Sequence, residues 1–262
     1  MSAVILGKPD TLDEVGRRFE RARLDQPLFL NSAPKSGTHL LRNIMRMFVA
    51  EDQHWRREYV QHALLGRSRE AFDPAKPMVS WGHLLFSDDA AIALKPCRHL
   101  VLMRDPYDWV LARARFYLSD EFQGPTNQIK GGAVAVEDVL NMMIMGVHQK
   151  VPTLLDVYSF NVAAWMGTAA VMVKFEDLRA AAQDLHSRRA EAFFARLLAD
   201  CGLGDLPADW RERVEAGADP AQSRTARANL SVDQAIPDTL PETQKRIVDF
   251  AAPGLRALLG YA

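Results

Sequence analysis

Apolar residues in this chain follow two patterns that alternate along its length. Short continuous runs at residues 27–32, 78–82, 99–103 and 170–175 are bounded by turn residues, which predicts four buried strands. Between them, apolar positions recur at helical spacing. Leu41, Ile44, Met45 and Phe48 predict a helix from Thr38 to about residue 49. Further helices are predicted at residues 88–94, with aspartates at the positive end, and from Pro106, suited to a first turn, to residue 118. Residues 136–147, 154–166 and 176–201 also have helical spacing, as does 242–259 with a break near Pro253. Thr11, Leu12, Asp13 and Glu14 have the spacing of a capping box, so a helix is expected over residues 12–22. Residues 51–76 and 217–239 lack periodicity. The Gly-, Pro-, Asn- and Gln-rich stretch 119–132 reads as a long loop of the kind that covers or binds ligands. Strands alternating with helices imply a three-layer α/β/α sandwich around a mainly parallel sheet, which binds ligands at the carboxyl ends of its strands. No linker or repeat divides the 262 residues, so one domain over 1–262 is expected.

Composition narrows the classes. At 48% hydrophobic and 25% charged residues the make-up is that of a soluble globular protein, and a net charge of −1 gives no global attraction for nucleic acid or an anionic membrane. The sequence has neither a signal pattern nor an apolar run of spanning length, so the cytoplasm is the expected location. Cys97 and Cys201 are too few for a disulfide scaffold and lack metal-ligand spacing; they read as small buried hydrophobes. Arg17, Arg18, Arg21 and Arg23 read as a solvated helix face.

The most informative stretch joins the first strand to its helix through Ala33, Pro34, Lys35, Ser36 and Gly37. Gly37 permits a tight turn. The turn aims backbone N–H groups at the positive end of the helix. Lys35 adds a full charge, and Ser36 and Thr38 add hydroxyls. That is equipment for holding a phosphate. It is not a Walker A loop, because the lysine precedes the glycine. His83 lies just past a strand end, where a histidine titrating near neutrality can take a proton from an attacking hydroxyl; the alternative is a histidine satisfied by a neighbouring carbonyl. His39 and His148 are the next candidates. Arg104 follows a strand, and its guanidinium can grip a phosphate in a bidentate fork or pair with Asp105 or Asp108.

Pro34-Lys-Ser-Gly-Thr38 resembles the 5′-phosphosulfate loop of the sulfotransferases that use 3′-phosphoadenosine 5′-phosphosulfate (PAPS). Trp81-Gly-His-Leu84 is similar to that family's Lys-Thr-His-Leu segment, whose histidine is the general base; here Trp81 and Gly82 replace the lysine and threonine. The segment 101–112 resembles the family's 3′-phosphate segment, with Ala112 where the family usually places a serine. Arg113 or Arg115 is the candidate replacement for that serine. Phe175 stands where a tyrosine commonly helps hold the adenine. Arg227, followed by Ala228 and Asn229, is matched to a closing Arg-Lys-Gly loop, with Arg224 as a substitute for the lost lysine charge. Trp165, in a segment similar to a family helix, reads as core.

The resemblance covers roughly residues 25–260. It implies PAPS as the donor co-substrate without a metal, His83 as general base, and Lys35 stabilising the leaving phosphate. It implies nucleotide binding by Lys35, Ser36, Gly37, Thr38, His39, Arg104, Phe175, Arg224 and Arg227, and at position Ala112. The acceptor is a small molecule, a glycan or a lipid; Met-rich residues 140–147 point to a hydrophobic one unless they are core. No nucleic-acid or membrane partner is implied, and a homo-oligomer is compatible. The alternatives are a P-loop small-molecule kinase, which would need magnesium, and an inactive nucleotide-binding module of the same fold.

Overall fold

A computed structural model of the chain describes residues 4–5, 10–57, 59–223 and 226–261. Its strands are β1 (Val4–Ile5), β2 (Leu28–Ser32), β3 (Val60–Gln61), β4 (Val79–His83), β5 (Arg98–Met103), β6 (Phe122–Gln123) and β7 (Val171–Lys174). Its α-helices are α1 (Leu12–Gly16), α2 (Thr38–Arg46), α3 (Asp88–Leu94), α4 (Pro106–Leu118), α5 (Val136–Met145), α6 (Leu154–Asn161), α7 (Phe175–Gln183), α8 (Arg188–Asp200), α9 (Trp210–Ala218), α10 (Glu242–Ala251) and α11 (Leu255–Leu258). None of the described helices is long and apolar enough to cross a membrane. The described residues form two compact units: those within 10–103 with 160–222, and 4–5 with 104–159, 223 and 226–261.

The first of these units holds the sheet. Its strand order is β3-β4-β2-β5-β7, and every neighbouring pair is parallel. The four predicted strands are β4, β2, β5 and β7; the two-residue edge strand β3 comes from the stretch without periodicity. Central β2 is buried at every position, as a strand covered on both faces must be. Leu28 and Leu30 share a core with Leu100, Leu102, Val79 and Val173, packed on Leu41, Ile44 and Met45 of α2, Phe194 and Leu197 of α8, and Trp210 of α9. Phe29 points the other way. Its ring lies 5.4 Å from that of Phe72 and 5.6 Å from that of His99, which in turn meets Trp165 at 4.7 Å. Trp165 is therefore core, as read from the sequence. The fold is α/β with helices flanking a mainly parallel sheet, as predicted.

The first helix departs from expectation. It spans five residues instead of running to residue 22, and Thr11 makes no side-chain cap bond. The Thr11 hydroxyl and amide are engaged by Gln222, while Asp10 Oδ1 accepts from the Leu12 amide at 3.1 Å. With the capping threonine diverted, the chain leaves the helix and Ala22 makes a parallel bridge to Val49.

Gly82 has a steric reason. A Cβ there would lie 1.8 Å from the carbonyl oxygen of Val60, so a side chain cannot coexist with the β3–β4 pairing. Gly82→Ala is expected to detach β3 and lower stability by roughly 1–3 kcal/mol, measurable by urea denaturation.

In the other unit α4, α5 and α10 pack together, and β1 pairs antiparallel with β6. Asp105 caps α4 through the Tyr107 amide at 2.9 Å and takes Arg256 in a bidentate pair at 3.0 and 2.8 Å. Arg113 is buried against Trp109 and donates to the carbonyls of Met143 and Pro152, both at 3.0 Å. Its work is structural. In the predicted loop 119–132, Lys130 Nζ donates to the carbonyls of Ser119 and Phe122. Leu140 and Met143 are buried, so the apolar spacing of that helix is core spacing.

Candidate functional site

The unit that holds the sheet carries, at the carboxyl end of β2, the turn that the sequence marks as a candidate phosphate loop. The Ser36 amide closes the turn on the Ala33 carbonyl at 3.2 Å. Gly37 caps α2 at φ 93, in the left-handed region. Lys35 lies there too, at φ 68, which is uncommon for a residue with a Cβ and costs about 1–3 kcal/mol. The ring of Phe175, the first residue of α7, covers Gly37 so closely that a Cβ on the glycine would lie 2.3 Å from it. Ser36 Oγ is buried, with no hydrogen-bond partner among the described residues. Buried hydroxyls are as a rule hydrogen-bonded, so this one is a candidate donor to a ligand oxygen.

His83 stands at the carboxyl end of β4, next to β2. The Asn31 side chain fixes this strand end by donating to the Leu84 carbonyl at 3.1 Å and accepting from the Leu84 amide at 2.9 Å. His83 Nδ1 lies 3.0 Å from the Ser32 carbonyl oxygen and 3.0 Å from Ser32 Oγ. A carbonyl only accepts, so Nδ1 carries the proton and Nε2 keeps its lone pair. Ser32 Oγ is also 2.6 Å from Thr38 Oγ1. Where Oγ accepts from His83, it donates its own hydrogen to Thr38 Oγ1, whose hydroxyl hydrogen is then left to donate to a ligand oxygen. Ser32 thus links His83 to Thr38. It escaped the sequence reading; its signal is a polar pair, Asn31 and Ser32, ending a buried strand.

Around His83 the cluster is aromatic and cationic. Tyr59 packs edge-on against both His83 and Trp81, with centroids 4.9 Å apart in each pair. His39 meets Trp81 at 5.3 Å, and the Arg42 guanidinium lies 4.3 Å over the Trp81 ring. Tyr59 Oη is buried, with no hydrogen-bond partner among the described residues. Tyr59 and Arg42 were not singled out in the sequence.

Burial, reinforced by the charges of His39 and Lys35, pushes the His83 pKa down to about 3. Burial and the charges of Arg42 and Lys35 bring His39 to about 4. Burial takes His54 to about 4 and His99 to about 3. All four are neutral in the folded protein, while the unfolded chain protonates them near the ordinary histidine value of about 6.5. Below that value the unfolded state therefore binds more protons. Stability should be full above about pH 6.5 and fall as pH drops toward 3–4, by up to about 1.4 kcal/mol per pH unit for each histidine. Urea midpoints between pH 7.5 and 4.5 test this; His99→Phe, which removes a buried Nε2 with no partner among the described residues, should flatten the fall.

The other unit carries the predicted arginines. Arg104 directly follows Met103, the last residue of β5. Its backbone carbonyl accepts from Tyr158 Oη at 2.8 Å. Ala112 is half-buried on α4. Arg227, in a short 3₁₀ turn, pairs with Asp238 at 2.5 Å. Arg115 is pushed below the usual arginine pKa by burial, with further contributions from the charges of Arg227 and Arg104, so these three guanidinium groups share one neighbourhood. Of the two candidates for the missing serine, Arg113 is taken up by two carbonyls, whereas Arg115 lies beside Asp238. Arg224 lies outside the described residues. Asn229 Nδ2 donates to the Ser223 carbonyl at 2.8 Å, and His148 is exposed.

No family model matches the chain, and no curated protein matches it in sequence. Among solved structures it is similar to the crystal structure of mouse sulfotransferase SULT7A1 complexed with PAP, with a TM-score of 0.60 and 14% identity over 97% of this chain and 94% of that one. At that identity the likeness is one of fold: the chain has a sulfotransferase fold.

Proposed function

We infer that the protein is a sulfotransferase that moves the sulfuryl group of PAPS to an acceptor hydroxyl or amine. The observation that carries the reading is the junction at Ser32, where one residue holds His83 in its Nε2-basic tautomer and touches Thr38 of the loop. The loop amides, Lys35, Ser36 and Thr38 take the 5′-phosphosulfate; Arg104 and Arg227 take the 3′-phosphate, which separates PAPS from ATP. The acceptor oxygen attacks sulfur in line with the bridging oxygen. An S–O bond to the acceptor forms as the bridging S–O bond breaks, and the acceptor proton passes to His83 Nε2. The electron pair stays on the departing 5′-phosphate, where Lys35 and the α2 N-terminus stabilise it. The product nucleotide is 3′-phosphoadenosine 5′-phosphate (PAP).

Incubation with ³⁵S-labelled PAPS and a panel of phenols, alcohols, amines, glycans and lipids tests the reading: label transferred to an acceptor, with equimolar PAP, is the expected result. Tight PAP binding with no transfer to any acceptor would instead assign an inactive module, and a magnesium-dependent ATP signal would assign a kinase. Ser32→Ala removes the Oγ link but keeps the carbonyl. It should lower kcat about tenfold with little change in PAP affinity, read by steady-state kinetics beside calorimetry.

A further inference from the structure

One carboxylate sits where the arginines converge. Asp238 Oδ1 lies 2.5 Å from Arg227 Nη2 and 3.8 Å from Arg115 Nη2. Arg115 Nη2 also donates to the carbonyl of the preceding residue, Pro237, at 2.6 Å, so its guanidinium is held against the same two-residue segment. Arg115 is nearly enclosed, its side chain 11% exposed, whereas Asp238 is 80% exposed. The positive charges of Arg104 and Arg227 act on Arg115, and the carboxylates that act against them are Asp238 and Asp108. Two guanidinium groups, those of Arg115 and Arg227, thus share one solvent-facing carboxylate, and the charge of Arg104 acts on Arg115.

A carboxylate oxygen shared by two guanidinium groups occupies the position that a phosphate oxygen takes in an arginine site. An exposed carboxylate holds such a place weakly, and a dianion with three acceptor oxygens outcompetes it. We propose that Arg115 is a third phosphate-binding arginine and that Asp238 is an internal stand-in for the phosphate, displaced when a phosphate monoester dianion binds. The identification of that monoester as the 3′-phosphate of the nucleotide rests on the reading above. Asp238 then sets the affinity of the site: it keeps Arg115 and Arg227 gathered in the empty protein and taxes every ligand by the cost of its own displacement.

Calorimetry on the full chain tests this with three probes, PAP, 5′-AMP and inorganic phosphate, at low ionic strength. Asp238→Asn should bind PAP and inorganic phosphate roughly two- to fivefold more tightly than wild type and leave 5′-AMP unchanged. Asp238→Glu should restore wild-type values. Arg115→Lys, which keeps the charge and much of the packing, should weaken PAP but not 5′-AMP. Unchanged or weakened PAP and phosphate binding in Asp238→Asn overturns the proposal, as does wild-type PAP affinity in Arg115→Lys. If wild type binds neither nucleotide, the sulfotransferase reading fails separately, and the inorganic phosphate comparison alone decides the role of Asp238.

Discussion

His83→Asn is expected to fold normally, to bind PAP as wild type does, and to lose about 10²–10⁴-fold in kcat. The substitution keeps a side-chain donor toward the Ser32 carbonyl and removes the lone pair at Nε2. Tautomer makes this expectation specific, because the contact of Nδ1 with a carbonyl oxygen at 3.0 Å commits the ring to Nε2 as its basic atom. The pH profile adds a second readout. Burial first, then the nearby charges of His39 and Lys35, hold the free-protein pKa of His83 at about 3. The acid limb of kcat/KM, which reports the free enzyme, should therefore lie well below pH 6.5. The limb should not appear at the ordinary histidine value, and below about pH 5 loss of fold will overtake loss of base. A variant with near-wild-type turnover would remove His83 from the mechanism.

Lys35→Ala and Lys35→Gly make the second large prediction. Both should lower turnover by about 10²–10³-fold and weaken PAP, because each removes the cation facing the charge that grows on the leaving phosphate. Their stabilities should differ. Lys35 is held at φ 68, which alanine must also endure and glycine adopts freely. Lys35→Gly is therefore expected to be about 1 kcal/mol more stable than Lys35→Ala. A more stable and inactive glycine variant would show that the fold tolerates strain in order to place a lysine at this turn. Equal stability of the two would place the strain elsewhere, and retained turnover would end the role assigned to the charge.

The pattern of apolar runs made the sheet legible in advance, because parallel strands buried on both faces are continuous in sequence and their period is short. The tight turn at Lys35, Ser36 and Gly37 that opens α2 was legible for the same kind of reason: a strand-to-helix turn is local, and adjacent residues decide it. What failed were features decided by distant partners. Thr11 reads as a helix cap until Gln222, more than two hundred residues away, takes its hydroxyl. Edge strand β3 has two residues and no apolar alternation; its place is fixed by the carbonyl of Val60 resting on Gly82. Ser32 and Tyr59 become visible only once β2, β4 and the segment before β3 lie side by side. Arg113 and Arg115 are equal candidates by spacing, and their distant partners separate them: one donates to two carbonyls of its own unit, the other sits beside Asp238.

The most direct measurement is the affinity of wild type, Lys35→Ala and Arg104→Ala for PAP, 5′-AMP and ATP with magnesium, by calorimetry. The account predicts that wild type binds PAP with a dissociation constant on the order of micromolar and the other two nucleotides at least about 100-fold more weakly. It further predicts that Lys35→Ala weakens PAP and 5′-AMP alike, whereas Arg104→Ala weakens PAP and leaves 5′-AMP unchanged. A wild-type protein that ignores PAP at millimolar concentration, or binds ATP as tightly, would contradict it.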